Sequence, residues 1–188
     1  AKTQQQIKEA VQYKLASKGY FHYATAEQLA YTLFQKINKS IGVNWNYCGE
    51  FRRKCEILQN IDLIIKNSFT DEFKTFYSSN KELTELKSDE TSIELNTSIG
   101  LPIVIKIVAD NDFIYETWKH TGNEKHLAFC LDNKNSINLT TCTSEEEIYQ
   151  TLSLPYYIPE IREGLLEAKY ATEKAIPSFI EYTDLKGC

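Results

Sequence analysis

The side chains that could carry out chemistry are concentrated in residues 47–65, YCGEFRRKCEILQNIDLII. Asp62 follows Asn60 within an apolar stretch, and residues two apart on a strand project to the same face of a sheet. Two carboxylates at this spacing, with a third on a neighbouring strand, would hold paired Mg²⁺ ions for nucleotidyl transfer. Asn60 offers only a neutral amide oxygen, and the stretch 102–108 that should supply the third acid carries Val104. The pattern predicts the layout of a two-metal site in which Asp62 is at most the one remaining metal ligand.

The same segment has the outline of a phosphate-binding turn. Gly49 precedes a predicted helical turn whose backbone N–H groups could contact a triphosphate. Glu50 stands where a hydroxyl would donate to phosphate, and its charge would repel one instead. Arg52 and Arg53 allow two interpretations, contact with phosphate or ion pairs with nearby acids such as Glu56.

The other reactive and aromatic residues form no recognisable catalytic group. The five cysteines are widely spaced, odd in number and without a CxxC pair, which is typical of reduced thiols rather than of disulfides or a zinc site. Asp62 could also serve as a structural hydrogen-bond acceptor. The aromatic residues that could stack on bases or pack internally are Tyr20, Phe21 and Tyr23. The histidines that lack a ligand constellation, and are expected to be structural or exposed, are His22, His120 and His126.

Length and composition indicate a globular protein. The chain has 188 residues, of which 42% are hydrophobic and 25% charged. It contains no apolar run of the roughly 20 residues that a membrane helix needs and no signal-peptide pattern, so a cytoplasmic location is expected. The net charge of −5 and the pI of about 5.3 differ from the basic character of dedicated DNA-binding domains, whose pI is often above about 9. Any DNA binding is therefore expected to be weak.

Apolar periodicity predicts an α+β fold, with a small mixed sheet covered on one side by helices. Helices are predicted at 3–18, 25–39, 69–79, 111–119 and 123–133. EFRRKCE predicts one or two helical turns, and strands are predicted at VNWNYC, IDLIIK and SINLT. TSIELN and LPIVIKIVA predict a β-hairpin around a Ser-Ile-Gly turn. Ser144 and Glu147 have the spacing of a capping box at the start of a further helix.

Several collinear segments resemble family X DNA polymerases, specifically the bacterial polymerase X proteins. CGEFRRKCEILQNIDLII resembles their G-S-x-R-R-x-x-E-T-x-x-D-x-D motif, and GLPIVIKIV resembles the strand that carries their third aspartate. HTGNEKHLAF is similar to their F-T-G-S-x-E-H-N segment, and SEEEIYQTLSLPYYIPEIREG to a thumb segment that ends in P-P-E-x-R-E. DLKGC resembles the entry to the PHP phosphoesterase domain that follows in those proteins. The resemblance covers most of the chain.

The resemblance implies a nucleotidyltransferase palm of the polymerase β type at 42–110, helical fingers at 1–41 and a mostly helical thumb at 111–188. The family's three metal aspartates fall on Asn60, Asp62 and Val104, and its phosphate-contacting serine falls on Glu50. The family positions that are retained around the nucleotide are Gly49, Arg52, Arg53, Thr121 and Gly122, with His126 beyond them. Lys119 and His120 replace the aromatic residues before Thr121, so the family's sugar discrimination is not expected here.

Three hypotheses follow from these substitutions. The first is a core that has lost polymerase activity and binds no cofactor, since Mg²⁺ would be required for activity. It would serve as a scaffold or DNA-positioning module for a downstream PHP domain in DNA repair. The second is an active, divergent nucleotidyltransferase that recruits Glu56, Glu94 or Asp110 around Asp62. The third is a purely structural or protein-interaction module.

Overall fold

The computed structural model describes residues 7, 19–132, 137–173 and 176. The strands in this part of the chain are β1 (Phe21–His22), β2 (Trp45–Cys48), β3 (Ile57–Leu58), β4 (Ile61–Lys66), β5 (Leu83–Ser88), β6 (Ser92–Thr97) and β7 (Pro102–Val108). The α-helices are α1 (Tyr23–Ile41), α2 (Gly49–Arg52), α3 (Thr70–Ser79), α4 (Phe113–Thr121), α5 (Glu124–Leu131), α6 (Glu145–Thr151) and α7 (Glu167–Glu173). Short 3₁₀ turns occur at Asn67–Phe69, Asp110–Asp112 and Pro159–Ile161.

Five strands form one mixed sheet in the order β2-β4-β7-β6-β5. Only β4 and β7 run parallel, and the connection between them contains α3 and the β5–β6 hairpin. The pairs β2–β4, β5–β6 and β6–β7 are antiparallel. The two-residue strands β1 and β3 form a separate antiparallel pair. The parallel pair lies near the centre of the sheet, where parallel strands are normally protected from solvent.

One face of the sheet builds the larger apolar core. Alternate residues of β4, β6 and β7 point to this face, and they pack against apolar residues of α1 and α3. Helix α1 contributes buried side chains at helical spacing, including Ala26, Ala30, Leu33 and Ile37. Gly42 ends this helix with a φ of 61°, a conformation that glycine adopts without a steric penalty. Helix α1 therefore shares a single core with the sheet.

A second core is formed by the part of the chain from α4 onwards. It brings α4, α5 and α6 together around Trp118, Tyr149 and Tyr157, which are all fully buried. The opposite face of the sheet is covered in part by α4, because Phe113 packs on Cys48 and Ile64. None of the described helices is both long and apolar enough to cross a bilayer.

The α+β class is confirmed, and most predicted elements lie within a few residues of their expected positions. Strand β5 was not predicted: it is an edge strand, most of its residues are exposed, and so it lacks clear apolar alternation. The predicted strand SINLT is wrong for residues 137–140, where the Asn138 side chain accepts hydrogen bonds from the backbone N–H and hydroxyl of Thr140 and holds a turn. The predicted helix at 3–18, apart from residue 7, and the DLKGC segment lie outside the described residues.

The capping box at α6 forms with a shift of one residue. The Ser144 hydroxyl accepts a hydrogen bond from the Glu147 backbone N–H, as predicted. The Glu147 carboxylate reaches back to the N–H of Thr143 at 2.7 Å rather than to that of Ser144. These bonds hold the start of α6, and its next residue, Glu145, belongs to the site described below.

Candidate functional site

A single row of residues crosses the sheet at the amino-terminal end of β4. The row consists of Cys48, Asp62, Val104 and Glu94, which are partners in register on successive strands. Partners in register project to the same face, and this face is opposite the one that packs on α1 and α3. Asn60, just before β4, donates a hydrogen bond from its Nδ2 to Asp62 Oδ1 at 2.6 Å. The structure therefore brings Asn60, Asp62 and Val104 together.

Asp62 lies against the backbone of the turn that begins α2. Gly49 has a φ of 62°, and a Cβ built on it would lie 2.2 Å from Asp62 Oδ2, so only glycine fits this approach. A cavity of about 240 Å³ opens beside the carboxylate, with Val104, Lys106 and His120 in its lining. Burial raises the pKa of Asp62, and the charge of Glu50 raises it further. These effects outweigh the Asn60 hydrogen bond and the nearby positive charges, which favour the carboxylate.

The three acids considered as substitutes occupy different parts of the molecule. Glu94 lies in register with Val104, one strand further from Asp62 on the same face. Glu56 is exposed in the turn before β3. Asp110 accepts hydrogen bonds from the N–H and hydroxyl of Ser68 beyond the carboxyl ends of β4 and β7, whereas Asp62 is at the other end of β4. Of the three, only Glu94 shares the row of Asp62.

The two arginines of α2 and its following turn are paired with acids that are distant in sequence. Arg52 donates from Nη1 and Nη2 to the Glu145 carboxylate at 2.5 and 3.1 Å. Arg53 donates from Nε to Glu163 at 2.6 Å, and from Nη1 to the backbone carbonyl of Thr121 at 2.8 Å. Of the two interpretations of Arg52 and Arg53, phosphate contact or ion pairs, the ion pairs describe this geometry. Their partners are Glu145 and Glu163 rather than residues nearby in sequence such as Glu56.

Glu145 joins Arg52 to a second, fully buried guanidinium. Arg162 donates from Nη2 to Glu145 Oε2 at 2.7 Å and from Nε to the Tyr157 carbonyl at 2.8 Å. Its guanidinium also lies over the rings of Tyr149 and Tyr156. Burial alone would raise the pKa of Glu145, but the charges of Arg162 and Arg52 lower it overall. The Arg52–Glu145–Arg162 triad thus links α2 to α6 and to the segment after it.

Thr121 and Gly122 form part of this buried junction. The Thr121 hydroxyl accepts a hydrogen bond from Arg52 at 2.7 Å and donates one to the carbonyl of Thr117 at 2.6 Å. Gly122 allows close approach of the His126 ring, because a Cβ on it would lie 2.7 Å from His126 Cδ2. His126 is fully buried, with Nδ1 2.9 Å from Glu167 Oε1 and Nε2 2.8 Å from the Tyr149 hydroxyl. These contacts give His126 a structural role, one of the two outcomes expected for it.

His120 lies at the edge of the Asp62 cavity. Its Nε2 is 2.9 Å from Lys106 Nζ and 3.0 Å from Glu116 Oε2. Burial lowers the pKa of His120, and the positive charge of Lys106 lowers it further. The ring is therefore expected to be neutral at pH 7, and its Nε2 then either accepts a hydrogen bond from Lys106 or donates one to Glu116.

Comparison with known proteins identifies the fold. No family model and no curated protein sequence matches the chain. A solved structure does match, namely the crystal structure of Leishmania infantum polymerase β, described as a ternary P/T complex. The TM-score is 0.60, and the match covers 81% of this chain and 80% of that chain at 13% sequence identity. The chain has a polymerase-β-like fold.

The residues at the centre of this polymerase-β-like fold do not fit a pair of Mg²⁺ ions. Mg²⁺ prefers octahedral oxygen coordination that includes carboxylates, and a two-metal site needs several of them close together. Asp62 is one carboxylate, its Oδ1 is occupied by the Asn60 amide, and apolar Val104 is its partner in register. Lys106 brings a positive charge to the same cavity. No group of three or more His, Cys, Asp or Glu residues suited to a metal occurs in the described part of the chain.

Spacing in the sequence did not identify Glu145, Arg162 or Glu163 as parts of the site. Glu145 is 93 residues from Arg52, and Glu163 is 110 residues from Arg53, so no local pattern joins them. The available signal was the resemblance of the segment SEEEIYQTLSLPYYIPEIREG, which contains all three residues. Placing them against α2 requires the tertiary fold.

Proposed function

We propose that this chain is a polymerase-β-like nucleotidyltransferase core that has lost polymerase activity and positions DNA for a downstream PHP phosphoesterase domain. In this proposal the segment 1–41 corresponds to fingers, 42–110 to palm and 111–188 to thumb. The observation that carries it is the pair in register formed by Asp62 and Val104, with the Asn60 amide on the first carboxylate. One carboxylate thus stands where three would be needed.

The electrostatics of the site support loss of the metal-dependent reaction. Stabilisation of developing charge by preorganised positive groups is usually the largest contribution to catalysis of this kind. Burial, with the charge of Glu50, raises the pKa of Asp62, so the surroundings of the one acid that remains disfavour its charged form. The two guanidiniums nearest the turn, Arg52 and Arg53, are already engaged by carboxylates.

The role in DNA positioning rests on the fold, and the PHP partner rests on sequence resemblance. The matched structure is a polymerase β, which supports DNA as the partner of a chain with this fold. The resemblance to bacterial polymerase X proteins, including the segment DLKGC, motivates the PHP domain, a role in DNA repair and a cytoplasmic location. The proposal includes no membrane partner and no bound cofactor.

A templated primer-extension assay with Mg²⁺ or Mn²⁺ tests the central claim. We expect no incorporation above background from the wild-type chain, because the carboxylates that would hold the metals are absent. Asp62→Ala should behave in the same way. Incorporation that is clear in the wild type and abolished by Asp62→Ala would overturn the proposal.

Restoring the acids provides a direct test of the metal site. The double variant Asn60→Asp, Val104→Asp places three carboxylates in one corner of the sheet. It should be less stable than wild type without metal, because the added charges repel one another and are partly buried. Added Mg²⁺ should raise its melting temperature through binding to the folded state. Asn96→Asp on the same face is the control, and an equal Mg²⁺ response in wild type would contradict the proposal.

A second candidate is an active, divergent nucleotidyltransferase that uses Glu94 with Asp62. The observation in its favour is that Glu94 occupies the same row of the sheet. If this candidate is correct, Glu94→Gln and Asp62→Asn should each remove a metal-dependent nucleotidyl transfer, whereas Asp110→Asn should leave it intact. No transfer with any nucleoside triphosphate in the wild type would eliminate this candidate.

A further inference from the structure

A groove lined by aromatic rings lies on the α1 side of the sheet, away from Asp62. We call it the aromatic groove; its volume is about 480 Å³. Rings from three parts of the chain line it: α1 with Tyr23, Tyr31 and Phe34, the β2–α2 region with Tyr47 and Phe51, and the segment after α6 with Tyr156. Concave sites of this size, with aromatic walls and a few polar groups, are typical of binding sites.

The floor of the aromatic groove is held by mutual ring contacts. Phe34 stacks on Tyr47 with centroids 5.6 Å apart and planes at 6°, and Tyr23 stacks on Phe51 at 5.3 Å and 26°. Phe51 also meets Phe34 and Tyr47 edge-on, at 86° and 89°. The four rings therefore hold one another in place before any ligand arrives, which reduces the entropy lost on binding.

Two tyrosines of the groove keep much of their surface exposed to solvent. Tyr31 on α1 is 69% exposed and Tyr47 on β2 is 37% exposed. Phe34 and Phe51 pack against the main core, whereas Tyr31 contributes nothing to it. Exposed aromatic residues such as Tyr31 are enriched in protein–protein interfaces relative to the rest of the surface.

The charged residues of the groove leave one carboxylate without a cation. Arg52 is neutralised by Glu145, and Lys54 forms an ion pair with Glu160 at 2.7 Å. Glu27 on α1 is exposed and forms no ion pair within the described residues, and its carboxylate accepts a hydrogen bond from the Tyr23 hydroxyl. Burial is the main reason that the pKa of Tyr23 is raised to about 12, and the charge of Glu27 and the hydrogen bond to it raise the pKa further.

We infer that the aromatic groove is a docking site for an arginine side chain of another protein. A guanidinium stacks on aromatic rings, and it can donate two parallel hydrogen bonds to a carboxylate such as Glu27. The exposed face of Tyr31 and the ring of Tyr47 supply the stacking surface, and Glu27 supplies the charge. Lysine has the same charge but lacks the planar group that fits between rings.

The negative carboxylate argues against nucleic acid as the occupant. A phosphate backbone would be repelled by Glu27, and the two cations of the groove are already paired with acids. Tyr47 is in register with Leu63 and so lies on the face opposite Asp62, and the groove shares only Arg52 with the candidate site. The inference does not require the proposed function.

The indole NMR signals of the two tryptophans can be used to measure peptide binding to the groove. The chain has two tryptophans. Trp45 packs on Phe34 with ring centroids 4.8 Å apart, beside the groove, whereas Trp118 is buried in the second core. Titration of the ¹⁵N-labelled chain with acetyl-Gly-Arg-Gly-amide should shift the Trp45 indole signal saturably and leave the Trp118 signal in place. The same peptide with citrulline, a neutral analogue of arginine, should bind about tenfold more weakly or worse.

Three variants connect the signal to the groove. Glu27→Gln should lower the affinity for the arginine peptide about tenfold and leave the affinity for the citrulline peptide unchanged, because the substitution removes only charge. Tyr31→Ala should lower the affinity for both peptides, because the substitution removes a stacking surface. Both positions are exposed, so the variants are expected to fold, and circular dichroism melting checks this. Glu90→Gln, an exposed acid in the β5–β6 turn, is the matched control and should bind like wild type.

Several results would overturn the inference. One is equal affinity for the arginine and citrulline peptides, and another is an unchanged arginine affinity in Glu27→Gln. Equal affinity for acetyl-Gly-Lys-Gly-amide would remove the assignment to arginine. A larger shift of Trp45 with AMP than with the arginine peptide would make the groove a base-stacking site instead.

Discussion

At the scale of single residues, Asp62 combines burial with few compensating partners. Its carboxylate faces the Gly49 turn, accepts one hydrogen bond from Asn60 and lies beside Val104. Its pKa is raised, mainly by burial, so the folded state favours the protonated form relative to the unfolded chain. Protonation of Asp62 therefore contributes stability at pH values below the pKa of Asp62 in the unfolded chain. This contribution is lost as pH rises through the higher pKa of Asp62 in the folded state. At neutral pH the ionised Asp62 therefore destabilises the fold.

Asp62→Asn should accordingly stabilise the protein at pH 7. The amide keeps the size of the side chain and an oxygen that can accept from Asn60, while it removes the buried charge. We expect a gain of about 1 kcal/mol, or roughly 2–4 °C in melting temperature for a chain of this size. The difference should shrink as pH falls below about 4, because aspartate then becomes protonated in the unfolded chain as well. A variant less stable than wild type at pH 7 would show that the charge of Asp62 has a stabilising partner.

His126 should produce a separate pH dependence. Burial lowers its pKa despite the neighbouring Glu167 carboxylate, so the folded state binds a proton less readily than the unfolded chain. Neutral His126 therefore contributes stability at pH values above its pKa in the unfolded chain, which is about 6.5. This contribution is lost as pH falls towards the lower pKa of His126 in the folded state.

Melting curves between pH 7.5 and about pH 5 measure this effect, whose slope approaches about 1.4 kcal/mol per pH unit for one additional proton. His126→Gln is expected to be less stable overall but to lose this slope. The exposed His22→Gln should retain it. An unchanged slope in His126→Gln would assign the titration to another group.

At the scale of elements, the Arg52–Glu145–Arg162 triad joins α2 to the C-terminal helices, beside the ion pairs Arg53–Glu163 and Lys54–Glu160. Arg52 belongs to α2 and Glu145 to α6, whereas Arg162 follows a 3₁₀ turn. The side chains of Arg162 and Glu145 are 0% and 8% exposed, so each charge depends on the other for compensation.

Glu145→Gln should be strongly destabilising. The substitution leaves two guanidiniums facing each other without a carboxylate, and removal of one partner of a buried ion pair typically costs about 3–5 kcal/mol. Glu146→Gln, on the exposed side of the same helix, is the matched control and should change stability by about 0.5 kcal/mol or less. Chemical denaturation of the two variants measures the difference. Equal free energies of unfolding would mean that the triad is not a stabilising junction.

The elements differ in how well sequence patterns predicted them. IDLIIK and LPIVIKIVA were identified because buried strands near the centre of a sheet are almost continuously apolar. Strand β5 was missed because an edge strand needs backbone pairing but little apolar burial. SINLT was wrong because the Asn138 side chain competes for the backbone that a strand would use.

At the scale of the whole molecule, a net charge of −5 limits affinity for DNA. Gapped DNA should bind with a Kd weaker than about 10⁻⁶ M at physiological salt, and binding should tighten as salt is lowered. Lys106, exposed on the face of Asp62, is the cation best placed to contribute a phosphate contact.

Lys106→Ala should reduce the slope of log K against log salt by about 0.9, the value for one phosphate contact. Lys39→Ala, at the end of α1, should leave the slope unchanged. Fluorescence anisotropy at several salt concentrations measures both. A salt-independent affinity in wild type would favour a role in protein interaction without DNA.

The sequence by itself determined most of the elements and the residue types available to them. Apolar periodicity and the two-residue spacing of Asn60 and Asp62 are local properties, because backbone geometry fixes which neighbours share a face. Tertiary structure alone decided three things: that Val104 lies beside Asp62, that Glu145 and Glu163 engage the arginines after Gly49, and that six aromatic rings form a groove beside Glu27. The physical reason is that strand order, buried charge pairing and ring packing join residues far apart in the chain, and no spacing in the sequence encodes those distances directly.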